Sequence, residues 1–311
     1  MSQPSSAHLP ARQNTRLGIL LMVATTAVFA LQDGFSRHLA AEYNTYLVVM
    51  IRFWFFGAFV VALAARQKGG LRAASRTRQP LVQALRALVL AAEVCVLVVA
   101  FIRLGLVESH AVFACYPLLV AALSGPLLGE QVGWRRWVAI AVGFAGILII
   151  LQPGYAVFSP NALIPLLAAF GFALYSLLTR YVARQDPTNV SFFWTGTVAA
   201  LVMTPVGLWH WQWMTVPDAA MMLMLCITAS LGHYLLIRCY EVAEASAVQP
   251  FAYLQLLFIT ALGLTWFGEV LRPNVAAGAA LVVGAGIFAL WRAALRDRAA
   301  RRVAALGTPP G

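Results

Sequence analysis

Apolar residues in this chain come in long blocks, separated by short groups of charge, glycine and proline. A helix that crosses a bilayer takes about 20 mostly apolar residues. That punctuation predicts ten such helices, near 17–36, 45–65, 81–102, 108–128, 134–152, 160–182, 190–211, 219–240, 245–267 and 273–292. The longest connection, 66–80, is basic and rich in small residues, and no linker has room for a soluble domain. Arg12 and Arg16 ahead of Leu17–Leu31 imitate the start of a signal peptide. Gln32, Asp33 and Gly34 follow without a small-x-small cleavage site, so the segment reads as a retained first span.

Composition narrows the class. The chain is 61% hydrophobic and 11% charged, with a mean hydropathy of +0.80. Soluble domains carry about a quarter charged residues, and disordered chains combine low hydrophobicity with high charge, so both classes are excluded. The net charge of +11 follows from Lys and Arg gathering in cytoplasmic loops and does not indicate nucleic-acid binding. With the N-terminus inside, eighteen Lys and Arg fall on the cytoplasmic side, the run from Arg66 to Arg86 and the Arg-rich tail among them. Arg37, Arg103 and Arg272 fall outside, and Arg52 lies within a span. Both termini are therefore expected in the cytoplasm, in a bacterial-type inner membrane. Tryptophan agrees, because Trp134, Trp137, Trp209, Trp211, Trp213, Trp266 and Trp291 fall at span ends, where indoles prefer to sit. Cys95, Cys115, Cys226 and Cys239 are scattered through apolar runs and suggest neither disulfides nor a metal.

An internal repeat is visible. Phe29-Ala30-Leu31 precedes Ser36-Arg37 and Ala40 at the same spacing as Phe172-Ala173-Leu174 precedes Thr179-Arg180 and Ala183. Ala111-Val112 and Gly129-Glu130 are echoed by Ala247-Val248 and Gly268-Glu269, with three residues more between the two marks. Halves of five helices each, 1–153 and 154–311, would cross the membrane in opposite senses. The expected fold is thus an all-α integral membrane protein of ten transmembrane helices in two inverted five-helix repeats. Secondary transporters recurrently use that construction, with the site near the midplane between the halves.

The stretch Gly129-Glu130-Gln131-Val132-Gly133-Trp134-Arg135-Arg136-Trp137, then Gly143, Gly146 and Gln152-Pro153-Gly154, resembles the first-half signature of EamA-type members of the drug/metabolite transporter superfamily. Leu104-Gly105-Leu106-Val107-Glu108 through Pro117 is similar to that family's passage between its third and fourth helices. The second half departs from the pattern, since Phe267-Gly268-Glu269-Val270-Leu271 lacks the Gly-Trp-Arg-Arg continuation. The resemblance implies a central cavity lined by helices one, three, four, six, eight and nine, and a small-molecule cargo that it does not name.

Ionisable groups inside a span are costly and suggest a site with a partner. Arg52 and Glu93 lie at comparable depths, as an ion pair that holds the bundle together or as a couple for a zwitterion. Asp33 falls near the end of the first span, within reach of water. Gln32 and Tyr175 occupy mirrored positions in the repeat. His233 is either a hydrogen-bonded structural histidine or, with Glu93, a group for proton coupling. Tyr116 with Pro117, and Gln249 with Pro250, Tyr253 and Gln255, mark spans four and nine, where proline frees a backbone carbonyl for a ligand. The plainer reading of those prolines is a packing kink. With Trp54, these tyrosines offer aromatic faces to a ring or cation. Gly125 with Gly129, Gly143 with Gly146, and Gly284 with Gly286 read as close helix contacts. Glu130 and Glu269 read as carboxylates favouring a following helix N-terminus.

The functional expectation is a carrier for an amino acid or a similar, partly polar metabolite, working by alternating access with the bilayer as its other partner. No cofactor, metal or nucleic acid is expected. A monomer is expected, with a dimer as the alternative. The rival readings are a structural or sensory bundle and an intramembrane enzyme. An enzyme would need a nucleophile, metal or acid–base set that the sequence does not display.

Overall fold

The computed structural model describes residues 14–129, 134–151, 160–243, 245–281, 283–285, 287–288 and 291, and none of these lies in a strand. The helices are α1 (Thr15–Glu42), α2 (Thr45–Arg66), α3 (Gly70–Ser75), α4 (Pro80–Leu104), α5 (Leu106–Phe113), α6 (Tyr116–Leu128), α7 (Trp134–Leu151), α8 (Pro160–Val182), α9 (Thr188–Leu208), α10 (Val216–Val242), α11 (Ala245–Ala252) and α12 (Leu254–Trp266). A further apolar helix starts at Pro273. Seven helices among the described residues are long and apolar enough to cross a membrane, counting α5 and α6 together.

Local chemistry sets the helix ends. Asn14 accepts from the Leu17 amide at 3.1 Å and Asn44 from the Leu47 amide at 2.8 Å, each satisfying a first-turn donor that has no helical partner. Pro80 opens α4, where its missing N–H costs nothing. α1 continues to Glu42, six residues beyond the expected boundary at 36. The polar group Gln32, Asp33 and Ser36, which looked like a span end, is buried inside the bundle, so the helix has no reason to stop there.

Two spans are broken at matching places. α5 and α11 each have 8 residues, and α6 and α12 each have 13. In the first break, Pro117 cannot donate to the carbonyl one turn back. The chain makes a turn at Ala114–Cys115, and the Leu118 and Leu119 amides restart the ladder on the Cys115 carbonyl at 3.0 and 3.1 Å. Gly129 and Gly268 follow α6 and α12 with φ of 72° and 62°, the left-handed conformation open to glycine.

The principal packing pairs are α1 with α10, α4 with α8 and α2 with α9. Lesser pairs are α1 with α12 and α6 with α8. A Cβ on Gly57 would stand 3.1 Å from the Gly196 carbonyl oxygen, so α2 and α9 touch backbone to backbone. Leucines such as Leu20, Leu81 and Leu201 stay exposed around the outside, as a hydrocarbon solvent requires. The basic linker is tied down by Asp186, which accepts from the Thr77 hydroxyl, from the Arg78 amide at 3.4 Å and from Gln83 Nε2 at 2.9 Å.

Candidate functional site

The apolar bundle buries an unusual load of charge. Asp33 on α1, Arg52 on α2, Glu93 on α4, His110 on α5 and His233 on α10 are all at least nine-tenths buried. All but His110 line one cavity of about 30 Å³, together with Gln32 and Gln255. That volume holds about one or two waters. Phe29 and Phe172, the first residues of the two repeated motifs, meet edge to face across it at 6.2 Å.

Arg52 is the hub. Its Nη2 lies 3.4 Å from Gln32 Oε1 and 3.4 Å from His233 Nε2. A guanidinium can only donate, so His233 accepts through Nε2 and carries its proton on Nδ1, which finds no partner. Gln32 passes the contact on, donating from Nε2 to Asp33 Oδ1 at 3.0 Å. Asp33 Oδ2 lies 3.1 Å from Gln255 Nε2 and 3.0 Å from His110 Nε2. One chain of polar contacts therefore joins α10, α2, α1, α12 and α5. Glu93 stands apart from it. Its Oε1 has no hydrogen-bond partner, although the residue is only 4% exposed. No ion pair joins Arg52 to Glu93, although both line the same cavity. Gly171 on α8 makes room for Glu93, since a Cβ there would sit 3.1 Å from the Glu93 Cβ.

The other expected site residues are divided. Tyr116, Tyr253 and Gln255 border a small adjacent cavity of about 10 Å³ at the helix breaks, beside His110 and Pro117. The Tyr253 hydroxyl is buried without a partner. Tyr175 does not border the main cavity; it lies beneath the Arg86 guanidinium, 5.5 Å from the ring centroid. Trp54 bonds Thr204 across the α2–α9 seam at 2.8 Å, away from the cavity. The side chain of Gln249, the residue Glu130 and the Gln152-Pro153-Gly154 group lie outside the described residues.

Two readings from sequence need correction. Asp33 is a buried central residue and not a water-reached helix end. Arg86 is fully buried inside α4 and not part of a solvated basic loop. It bonds Gln83 Oε1 at 2.9 Å, Thr179 Oγ1 at 3.2 Å and Thr195 Oγ1 at 2.7 Å, fastening α4 to α8 and α9. Glu269 caps a helix, but a distant one. Its oxygens accept from the Leu106 and Val107 amides at 2.8 Å each, at the start of α5, and it pairs with Arg37.

A much larger cavity, about 680 Å³, lies between α2, α9 and α10. Its walls include Phe59, Leu63 and Leu231, which are exposed on outer helix faces, and it holds none of the central charges. Gln67, Asn189 and the paired Arg238 and Glu241 also border it.

The EamA-like transporter family model matches the chain twice, over residues 16–152 and 160–291. The chain belongs to that family. Among similar proteins, an S-adenosylmethionine uptake transporter of Rickettsia prowazekii is 26% identical, over 88% of this chain and 92% of its own length. A riboflavin transporter of Rhizobium johnstonii is 29% identical, over 96% and 98%. A crystal structure superposes with a TM-score of 0.65 at 19% identity, covering 93% of this chain and 98% of its own, which supports the fold alone. As an EamA-like chain of apolar helices, the protein is a multi-pass membrane transporter. In this family member, sequence reasoning missed His110 and Arg86. His110 was passed over because the histidines lack metal spacing, and Arg86 because it follows a basic run.

Proposed function

We propose that this chain is a secondary transporter with ten spans in two inverted five-helix repeats, 1–153 and 154–311, which moves a small metabolite bearing an amino-acid head by alternating access. The observation that carries the reading is the unpartnered Glu93 carboxylate, buried opposite Arg52 in one cavity. A buried carboxyl without a hydrogen-bond partner is costly, and an incoming ammonium or sulfonium would supply the missing contact. Arg52, whose fork geometry suits carboxylates, would take the other end of the head. Phe29, Phe101, Phe113 and Phe172 around the same space suit an attached ring.

The twofold match of the family model supports the repeat. So do the equal lengths of the broken helices, and packing pairs that exchange when the halves are exchanged. The cavity is too small for such a cargo, so loading requires the helices to part, as alternating access demands. The similar S-adenosylmethionine transporters make that compound, which has an amino-acid head, a sulfonium and a ring, the first probe.

The test is counterflow in proteoliposomes loaded with unlabelled compound, using labelled S-adenosylmethionine, methionine and riboflavin. Saturable exchange of S-adenosylmethionine or methionine that Glu93→Gln weakens is the expected result. Exchange of riboflavin alone would overturn the amino-acid head, and no counterflow of any probe would favour the structural bundle.

A further inference from the structure

We propose that Asp33 and His110 bind one exchangeable proton, and that this proton fastens α5 and α12 to α1 at one end of the cavity. The idea rests on the transporter reading only for its purpose, which would be to couple a proton to the movement of cargo.

The proton follows from counting donors. His110 Nδ1 lies 3.1 Å from the Leu106 carbonyl oxygen, which can only accept, so Nδ1 carries a hydrogen. His110 Nε2 lies 3.0 Å from Asp33 Oδ2. A neutral ring would put a lone pair there against a carboxylate oxygen. Gln255 Nε2 also lies 3.4 Å from His110 Nε2, a longer contact than the one to Asp33. The 3.0 Å contact itself needs a second proton on the ring or one on the acid. The other Asp33 contacts decide which. Oδ1 receives an N–H from Gln32 and Oδ2 one from Gln255, the pattern of an ionised carboxylate. The ring of Phe101 stacks on His110 with centroids 4.9 Å apart and planes at 16°, a face that favours an imidazolium. The proton therefore resides on His110.

Several polar and charged groups surround the pair. Arg52 reaches it from α2 through Gln32, Glu93 faces the same cavity from α4, and His233 on α10 is neutral. Toward the helix ends, Arg37 of α1 pairs with Glu269, and Glu108 of α5 with Arg272 at 3.1 Å. α12 adds the amide of Gln255, and the Tyr253 hydroxyl stands at its start. Loss of the proton would leave His110 Nε2 and Asp33 Oδ2 face to face as two acceptors. Separation of α1 from α5 and admission of water relieve that contact.

The linkage has a definite sign. If the closed state binds one proton more than the open state, the opening constant rises about tenfold per pH unit between the point where the open state releases its proton and the higher point where the closed state does, and is constant beyond it. The full-length protein, labelled with ¹⁵N-histidine and held in phospholipid nanodiscs, reads both halves of the proposal. The His110 ring, assigned by its loss in His110→Gln, is expected to carry two N–H protons while 106–113 are protected. Hydrogen exchange at 106–113, corrected for its intrinsic pH dependence, is expected to speed up by about tenfold per pH unit as the pH rises, until the ring has given up one of those protons, and to level off beyond that point. The double variant Asp33→Asn with His110→Gln, an amide pair that holds without a proton, is expected to lose that pH response. A single N–H on His110 while 106–113 are protected, or protection that does not change with pH, overturns the proposal. Neither measurement needs a cargo, so the outcome is separate from that of the counterflow experiment, and the unmodified protein alone decides if the variants do not fold.

Discussion

Glu93 and Arg52 occupy one cavity without touching, and they should respond to substitution in different ways. Arg52 is bonded on two sides and fully buried. Arg52→Met removes the hub and leaves the buried Gln32 Oε1 and His233 Nε2 without their donor, so it is expected to cost ~1–3 kcal/mol, read as a fall in the thermal unfolding midpoint in detergent. Glu93 contributes no hydrogen bond from Oε1. Glu93→Gln is expected to leave that midpoint unchanged or higher, while half-saturation by S-adenosylmethionine in counterflow rises at least about tenfold, equivalent to ~1.4 kcal/mol. Equal loss of stability in both variants would mean that Glu93 is structural. The types of these residues stood out in sequence because each is an isolated charge in an apolar run. Their partners did not stand out, since Gln32 and His233 reach Arg52 from helices distant in the chain.

At the level of elements, the broken spans are the part of the fold most dependent on outside support. α5 has 8 residues, too few to hold together in isolation. Its first amides are capped by Glu269, about 160 residues away in sequence. Glu269→Ala is expected to destabilise this end by ~1–3 kcal/mol, seen as faster hydrogen exchange at 106–113, and Glu269→Gln is expected to do so less, because the amide oxygen still accepts. The prolines at both breaks were legible from sequence, and so was the glycine after each. The identity of the capped helix was not, because a carboxylate in a loop carries no sign of which helix it will meet. Helix contact makes a second prediction. A Cβ on Gly232 would fall 2.5 Å from the Phe29 ring, which also lines the central cavity. Gly232→Ala is expected to cost ~1–3 kcal/mol and to lower counterflow by displacing that ring, whereas an outward-facing Leu231→Ala is expected to change neither.

Across the whole molecule, packing follows the repeat: α1 against α10 mirrors α4 against α8, and α2 meets its own counterpart α9. Phe29 and Phe172, equivalent by sequence, meet at the centre. The Asp33–His110 and Arg37–Glu269 contacts lie on the same three helices, α1, α5 and the α12 end. The proposed orientation is testable on intact cells. An impermeant maleimide is expected to label Trp213→Cys and to leave Ser75→Cys unreacted until the membrane is permeabilised; the reverse pattern would invert the topology.

Sequence by itself determined the solvent of this protein, its helical class and the approximate positions of the seven long apolar helices among the described residues, because those depend on local hydropathy and on proline and glycine chemistry. The repeated motifs and the Gly-Glu marks also stood in the linear chain, and with them the family. Tertiary structure alone decided that Asp33 is central, that Arg86 is a buried brace, that His110 rests on Asp33, and that Glu93 is left without a partner. Each of those is a question of which distant polar group fills a bonding need. In a low-dielectric interior that choice decides whether a charge is a strut or a site.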